Sequence, residues 1–273
     1  MSNNKKIRIH VKNNHWHPGS FPSTPEGEKV FTITKKHFDK ALEKFPDIKE
    51  KIDIFFDWDE DNFSTSMSKS TILLAWDFTT LNLKKNSPNL KWIHCIAAGI
   101  NHLIPLNWMH EGLVLTNNSG IHSKKAGEYG LMSVLMLQNH LPKIITNQKN
   151  KKFVSLFSNP IAGKTVVVLG TGSLGGSMIK LLSPLGANII GVNKKGGDVK
   201  GCTKVVTTNE IDSVLPDADF VYLALPETPE TKNLINRNRL DLLKPSCGII
   251  NIGRQSAIDY DALCEKLKKN ELA

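Results

Sequence analysis

Apolar residues fall in short runs separated by polar or helical stretches along the whole chain. In the first part the runs are Ile7–Val11, Ile52–Phe56, Thr71–Trp76, Leu90–Ile96 and Leu113–Thr116. Between them, segments such as Lys36–Lys44, with Phe38, Leu42 and Phe45 on one side, follow a helical period. Strand-like runs alternating with helix-like segments spell a small α/β domain built on a parallel sheet.

From Ser123 the pattern changes. A long helical stretch, Ala126–Leu141, carries Leu131, Val134, Leu135 and Leu137, and its break is expected at Pro142. Met132, Met136 and Leu137 are expected in a core or a subunit interface. A second strand and helix series follows: Thr165–Leu169 as strand, Leu174–Leu185 as helix, Asn188–Val192 as strand, then apolar runs at Phe220–Leu225 and Gly248–Ile252 and a final helix Tyr260–Leu272. Continuous Val and Ile runs in this order predict a parallel sheet covered on both faces. The fold class expected is therefore α/β, with two Rossmann-like or flavodoxin-like domains at residues 1–118 and 119–273.

Composition excludes several function classes. Apolar residues make up 40% and charged residues 22% of 273, ordinary values for a globular protein, and no run reaches the roughly eighteen apolar residues of a membrane span. The start, MSNNKKIRIHVKNN, lacks the apolar core of a signal peptide, so a cytoplasmic location and no membrane partner are expected. Cys95, Cys202, Cys247 and Cys264 are spaced too irregularly for a zinc clip or a CxxC pair and read as reduced thiols. His15 and His17 form an HxH pair without a third ligand at suitable spacing, so no metal is expected. The net charge of +9 is spread over scattered lysines rather than a nucleic-acid motif. A basic surface attractive to anionic metabolites fits better than a nucleic-acid partner.

The most specific local chemistry lies in KTVVVLGTGSLGGSMIKLLSPLGANIIGVN. Gly170, Gly172 and Gly175 follow a strand and open a helix. In a G-x-G-x-x-G turn the first glycine permits the tight bend, the second lets backbone approach a pyrophosphate, and the third lets helix and strand pack closely. The helix N-terminus adds free N–H groups. Dinucleotide contacts are accordingly expected from Gly170, Gly172, Ser173, Leu174 and Gly175. At the end of the next strand an acidic residue would hold a ribose 2′-OH, whereas a 2′-phosphate needs cations. Asn193, Lys194 and Lys195 stand there, a pattern that favours NADP over NAD.

Three further stretches occur in the order of one family. NLKWIHCIAAGINHL, ALPETPETKNLI and LKPSCGIINIGRQSAIDYDAL, together with the glycine turn, resemble the D-isomer-specific 2-hydroxyacid dehydrogenases, with a likeness to glyoxylate and hydroxypyruvate reductases. The resemblance implies that backbone amides of Ala98, Gly99 and Ile100 bind the substrate carboxylate. It implies that Leu225, Pro226, Thr231, Ile252 and Gly253 line the cofactor site, and that Arg254 is the substrate-binding and catalytic arginine. A guanidinium fork suits that work, since it pairs with a carboxylate and stabilises negative charge on a 2-oxo group as hydride arrives. Asn101 and Gln255 depart from the family pattern, where aspartate and glycine are usual.

The family's acid/base histidine and its carboxylate match no residue of this chain, and Glu271-Leu272-Ala273 resembles the segment just before them. The expectation is a nucleotide-binding domain incomplete at its C-terminus. His94, His102 and His122 are expected to be packed or solvated rather than catalytic. The implied function is hydride transfer between NAD(P)H and a small 2-oxo acid or D-2-hydroxy acid, by a homodimer. The alternative is a non-catalytic nucleotide-sensing protein of the same fold, as in the family's corepressor branch.

Overall fold

The computed structural model describes residues 6–20, 22 and 24–272. The chain forms two compact units, Met1–Ser119 and Gly120–Ala273.

In the first unit, strands β1 (Ile7–Asn13), β2 (Ile52–Trp58), β3 (Ile72–Ala75), β4 (Trp92–Cys95) and β5 (Val114–Asn117) form one parallel sheet in the order β2-β1-β3-β4-β5. This is the flavodoxin-like order, with its topological switch between β1 and β3. The expected strands are all present. Leu73, Ala75, Ile93 and Cys95 point into a core with Phe63, Met67, Leu83 and Leu90, which is why residues of β3 and β4 two apart share burial.

In the second unit, β6 (Thr165–Leu169), β7 (Asn188–Asn193), β8 (Lys204–Thr207), β9 (Phe220–Leu223) and β10 (Gly248–Asn251) form a second parallel sheet, ordered β10-β9-β6-β7-β8. Two five-stranded parallel sheets establish the α/β class. The reason for the continuous apolar runs is direct. Val167, Leu169, Val221 and Leu223 enter one core, with Leu240 and Ala262. Their sequence neighbours Val166, Val168, Phe220 and Tyr222 enter another on the opposite face, with Val134, Met178 and Ile179. Both faces are buried, so polar residues cannot alternate.

The helix Ser123–Gln138 covers the second of these cores through small residues. A Cβ on Gly130 would come within 2.6 Å of the Tyr222 hydroxyl oxygen, and one on Gly127 within 2.6 Å of Ser177 Oγ. The Tyr222 hydroxyl donates to the Ala126 carbonyl at 3.4 Å, and burial pushes its pKa up to about 12.

Three boundaries differ from the sequence expectation. The long helix ends at Gln138 rather than Leu141, because His140 adopts a left-handed φ of 53°. Pro142 then opens the next helix, Leu141–Lys149, in its first turn, where a missing N–H costs nothing. The helix after the glycine turn is α-helical over Ser173–Leu182 and tightens to a 3-10 turn at Ser183–Leu185, which contains Pro184. The last helix ends at Lys268, with Asn270 in the left-handed region at φ 57°. Strand β8 was not foreseen.

Candidate dinucleotide and carboxylate sites

Parallel strands place all their carboxyl ends on one edge, and in the second unit that edge gathers the predicted residues. The turn Gly170–Gly172 leaves β6, Asn193–Lys195 leave β7, Leu225–Thr231 follow β9 and Ile252–Arg254 follow β10. Strands β7 and β9 lie on either side of β6, so the glycine turn sits at the switch point, where open α/β sheets leave a crevice.

The three glycines meet different surroundings. Gly170 has φ +93°, and a Cβ there would lie 2.7 Å from the Ala224 carbonyl oxygen. A Cβ on Gly175 would collide with the carbonyl oxygen of Gly170 and lie 3.2 Å from Val168 Cγ1. Gly172 is the opposite case: among the described residues, nothing beyond its own chain neighbours lies within 4 Å of the position its Cβ would take. The first and third glycines are thus demanded by packing, and the second faces open space. Gly172 is also the N-cap of the helix Ser173–Leu182, with no side-chain cap. The amides of Ser173, Leu174 and Gly175 therefore have no intrahelical acceptor and present the positive end of the helix to that space.

Asn193 is a hub of this edge. Its Oδ1 accepts the N–H groups of Lys195 at 2.9 Å and Gly196 at 2.7 Å, and its Nδ2 donates to Thr171 Oγ1 at 3.1 Å. It joins the loop after β7 to the glycine turn, with its amide already engaged by protein groups. Lys195 is exposed, whereas Lys194 Nζ lies 3.7 Å from Glu230 Oε2. Thr231, only 7% exposed, ties the loop after β9: its hydroxyl donates to Pro226 O at 2.7 Å and accepts the Thr228 N–H at 2.9 Å.

Arg254 is exposed at the end of the turn after β10. Its guanidinium Nη1 donates to its neighbour's carbonyl, Gly253 O, at 3.3 Å, and it forms no ion pair among the described residues. The turn is set by Asn251, whose Oδ1 accepts the Gly253 N–H at 2.9 Å and whose Nδ2 donates to Arg254 O at 3.1 Å and to the Tyr260 hydroxyl at 3.2 Å. Gly253 fits against the loop after β9, since its Cβ would lie 2.7 Å from Leu225 O. Ile252 continues the ladder, its N–H donating to Leu223 O at 3.0 Å.

In the first unit, Ala98, Gly99 and Ile100 follow the carboxyl end of β4. The carbonyls of this segment are turned toward asparagines. Ile96 O accepts from Asn118 Nδ2 at 2.9 Å, Ala97 O from the Asn118 N–H at 3.0 Å, and Ala98 O from Asn117 Nδ2 at 2.9 Å. Among the described residues no acceptor meets the N–H groups of Ala98, Gly99 and Ile100. Consecutive free amides over anchored carbonyls are an anion-binding arrangement. His94 supports it from below, its ring nitrogens 2.9 Å from Thr116 Oγ1 and 3.1 Å from Asn118 Oδ1. His102 Nε2 lies 2.7 Å from Trp76 O and its ring stacks on Trp76.

Asn251, Asn117, Asn118, Thr171 and Glu230 were not singled out from sequence. Asn251 stands inside the matched stretch and was open to recognition there. The other four sit at strand exits or loop positions where only the fold shows what they touch.

Residues 131–273 match the family described as D-isomer specific 2-hydroxyacid dehydrogenase, NAD binding domain. Among curated relatives, D-3-phosphoglycerate dehydrogenase of Synechocystis sp. is 28% identical over 189 residues, covering 67% of this chain and 33% of that protein. Glyoxylate reductase of Thermofilum pendens is 28% identical over 194 residues, covering 68% and 57%. The chain thus spans less than two thirds of the length of either. The crystal structure of a D-isomer specific 2-hydroxyacid dehydrogenase from Xanthobacter autotrophicus, in complex with NADPH and MES, superposes with a TM-score of 0.76 at 19% identity, covering 98% of this chain and 78% of that one. Among the described residues no helix is long and apolar enough to cross a membrane. With its family-specific segment spanning more than half its length, the chain belongs to the D-isomer specific 2-hydroxyacid dehydrogenase family, whose NAD-binding domain it contains.

Proposed function

We propose that this protein is an oxidoreductase that transfers hydride between NAD(P)H and a small 2-oxo acid, giving the D-2-hydroxy acid. The observation that carries the reading is the uncapped helix Ser173–Leu182 behind a glycine turn that leaves open space at Gly172. A pyrophosphate fits such a cradle, because it takes up the free amides and the helix dipole together. When bound, the dinucleotide supplies the hydride.

The chain's own residues bind and orient cofactor and substrate, and a proton drawn from water completes the new hydroxyl alongside the hydride. Gly172, Ser173, Leu174 and Gly175 hold the pyrophosphate, with Leu225, Pro226, Thr231, Ile252 and Gly253 along the same edge. The amides of Ala98, Gly99 and Ile100 receive a carboxylate. Arg254, with no carboxylate of its own, stabilises negative charge developing on the 2-oxo group. NADP is favoured over NAD, because Lys194 and Lys195 offer cations after β7 and none of Asn193, Lys194 and Lys195 is itself a carboxylate, Glu230 reaching Lys194 only from the loop after β9, and the Xanthobacter relative is held with NADPH. The residues 1–118 serve the substrate and 119–273 the cofactor. A homodimer belongs to the same proposal, supported by exposed Tyr129 and Met132 on the helix Ser123–Gln138 and Phe153 and Phe157 after it. The four cysteines are free thiols, which suits the reducing cytoplasm.

The test is oxidation of NADPH and NADH with glyoxylate, hydroxypyruvate and pyruvate. Turnover with one of them is expected, and cofactor binding without any turnover would replace the reading by a second one, a dinucleotide sensor.

A further inference from the structure

Strands β7 and β9 are separated by β6, yet the residue after β7 and the loop after β9 come together in the pair Lys194 Nζ and Glu230 Oε2, 3.7 Å apart. Two strands with one between them run roughly 10 Å apart, so this pair reaches across the carboxyl end of β6, the strand from which Gly170 departs. Both side chains are exposed, 71% and 63%, and belong to the cofactor edge rather than to a core.

We propose that Glu230 is a specificity-determining residue of this edge: its carboxylate occupies Lys194 as an internal anion, and a 2′-phosphorylated adenosine has to displace it. The inference rests on the dinucleotide reading of the glycine turn and sharpens it. Lys194 and Lys195 are not equivalent cations. Among the described residues Lys195 has no ion-pair partner, whereas Lys194 meets the phosphate already neutralised. The Thr228 hydroxyl, the Glu230 backbone N–H and then Lys194 keep the Glu230 carboxyl below the ordinary glutamate range, and Thr228 is itself fixed by Thr231. A cofactor without the 2′-phosphate has no need of Lys194 and leaves the pair intact.

The test uses calorimetric titration of the whole protein with adenosine 2′,5′-bisphosphate and with AMP. Glu230→Gln is expected to raise affinity for the bisphosphate about two- to fivefold at low ionic strength, the range that exposed ion pairs command. AMP affinity stays unchanged, and the gain shrinks as salt is added. In a Lys194→Ala background the same substitution gives no gain. An unchanged bisphosphate-to-AMP ratio in Glu230→Gln overturns the proposal, and so does a gain that persists without Lys194, since Glu230 would then act by simple repulsion. If the unaltered protein binds neither probe nor NADH, the dinucleotide reading itself falls and this inference with it. Binding of both with an unaltered ratio removes Glu230 alone.

Discussion

Gly175 lies so close to Gly170 that a Cβ on the former would collide with the carbonyl oxygen of the latter, the bend being locked by the helix that follows it. Gly172, two residues along from Gly170, touches nothing in this way. The same substitution must therefore have opposite consequences. Gly175→Ala is expected to destabilise the protein by about 1–3 kcal/mol through overpacking, seen as a lower thermal midpoint. Gly172→Ala is expected to fold with an unchanged midpoint and to bind NADPH at least tenfold more weakly. Equal loss of stability in both would show that the turn is only a packing device.

Among the described residues Arg254 pairs with no carboxylate, and Asn251 fixes the turn that carries it. Arg254→Ala should lower kcat/KM by about a hundred- to a thousandfold, the loss that accompanies removal of one charge-stabilising donor. Arg254→Lys should recover little, because an ammonium lacks the planar fork. Asn251→Ala should reduce kcat/KM less and leave NADPH affinity nearly unaltered. Full activity in Arg254→Ala would remove it from the chemistry.

The loop Ala98–Ile100, proposed to receive the substrate carboxylate, is organised by Asn117 and Asn118. Asn117→Ala frees the Ala98 carbonyl, so the adjacent amides lose their fixed direction. The KM for the 2-oxo acid is expected to rise about tenfold, in line with loss of one or two hydrogen bonds, while NADPH binding is unchanged. A rise in NADPH dissociation with no change in KM would contradict the assignment of this loop.

His10 is fully buried on β1 between the rings of Phe55 and Phe63, and neither of its nitrogens has a hydrogen-bond partner, although Asp57 Oδ2 is 3.4 Å away. Burial lowers its pKa from 6.5 to about 4, with Arg8 and Lys12 acting the same way and Asp57 opposing. The unfolded chain takes up this proton near pH 6.5 and the folded one only near pH 4. Its contribution is therefore complete above pH 6.5 and is lost as the pH falls toward 4, by about 3 kcal/mol in all. Urea unfolding at pH 7 and pH 5 should show this loss, and His10→Leu should flatten it. An equal pH dependence in the variant would assign the loss to other groups.

Much of this was legible in the sequence. Continuous Val and Ile runs marked β6, β7 and β9 because both faces of that sheet are buried, and the glycine turn was readable because its spacing follows from packing at Gly170 and Gly175. Strand β8 was missed since Lys204–Thr207 is a four-residue edge strand whose partly polar pattern resembles a loop. The helical pattern points to Pro142 as the break, but the break is made by the left-handed backbone of His140, which no side-chain pattern announces. Lys194 could be named from sequence, whereas Glu230 could not be set against it, because their meeting depends on strand order, with β6 between β7 and β9.

The turn at Gly170–Gly175 is proposed to hold a dinucleotide. Fluorescence titration of NADPH and NADH into the unaltered protein and into Gly172→Val, with thermal midpoints of both, tests it most directly. Saturable binding to the unaltered protein, lost in a Gly172→Val variant that melts at the same temperature, is the predicted result. Binding that survives in Gly172→Val, or no binding to the unaltered protein, would contradict it.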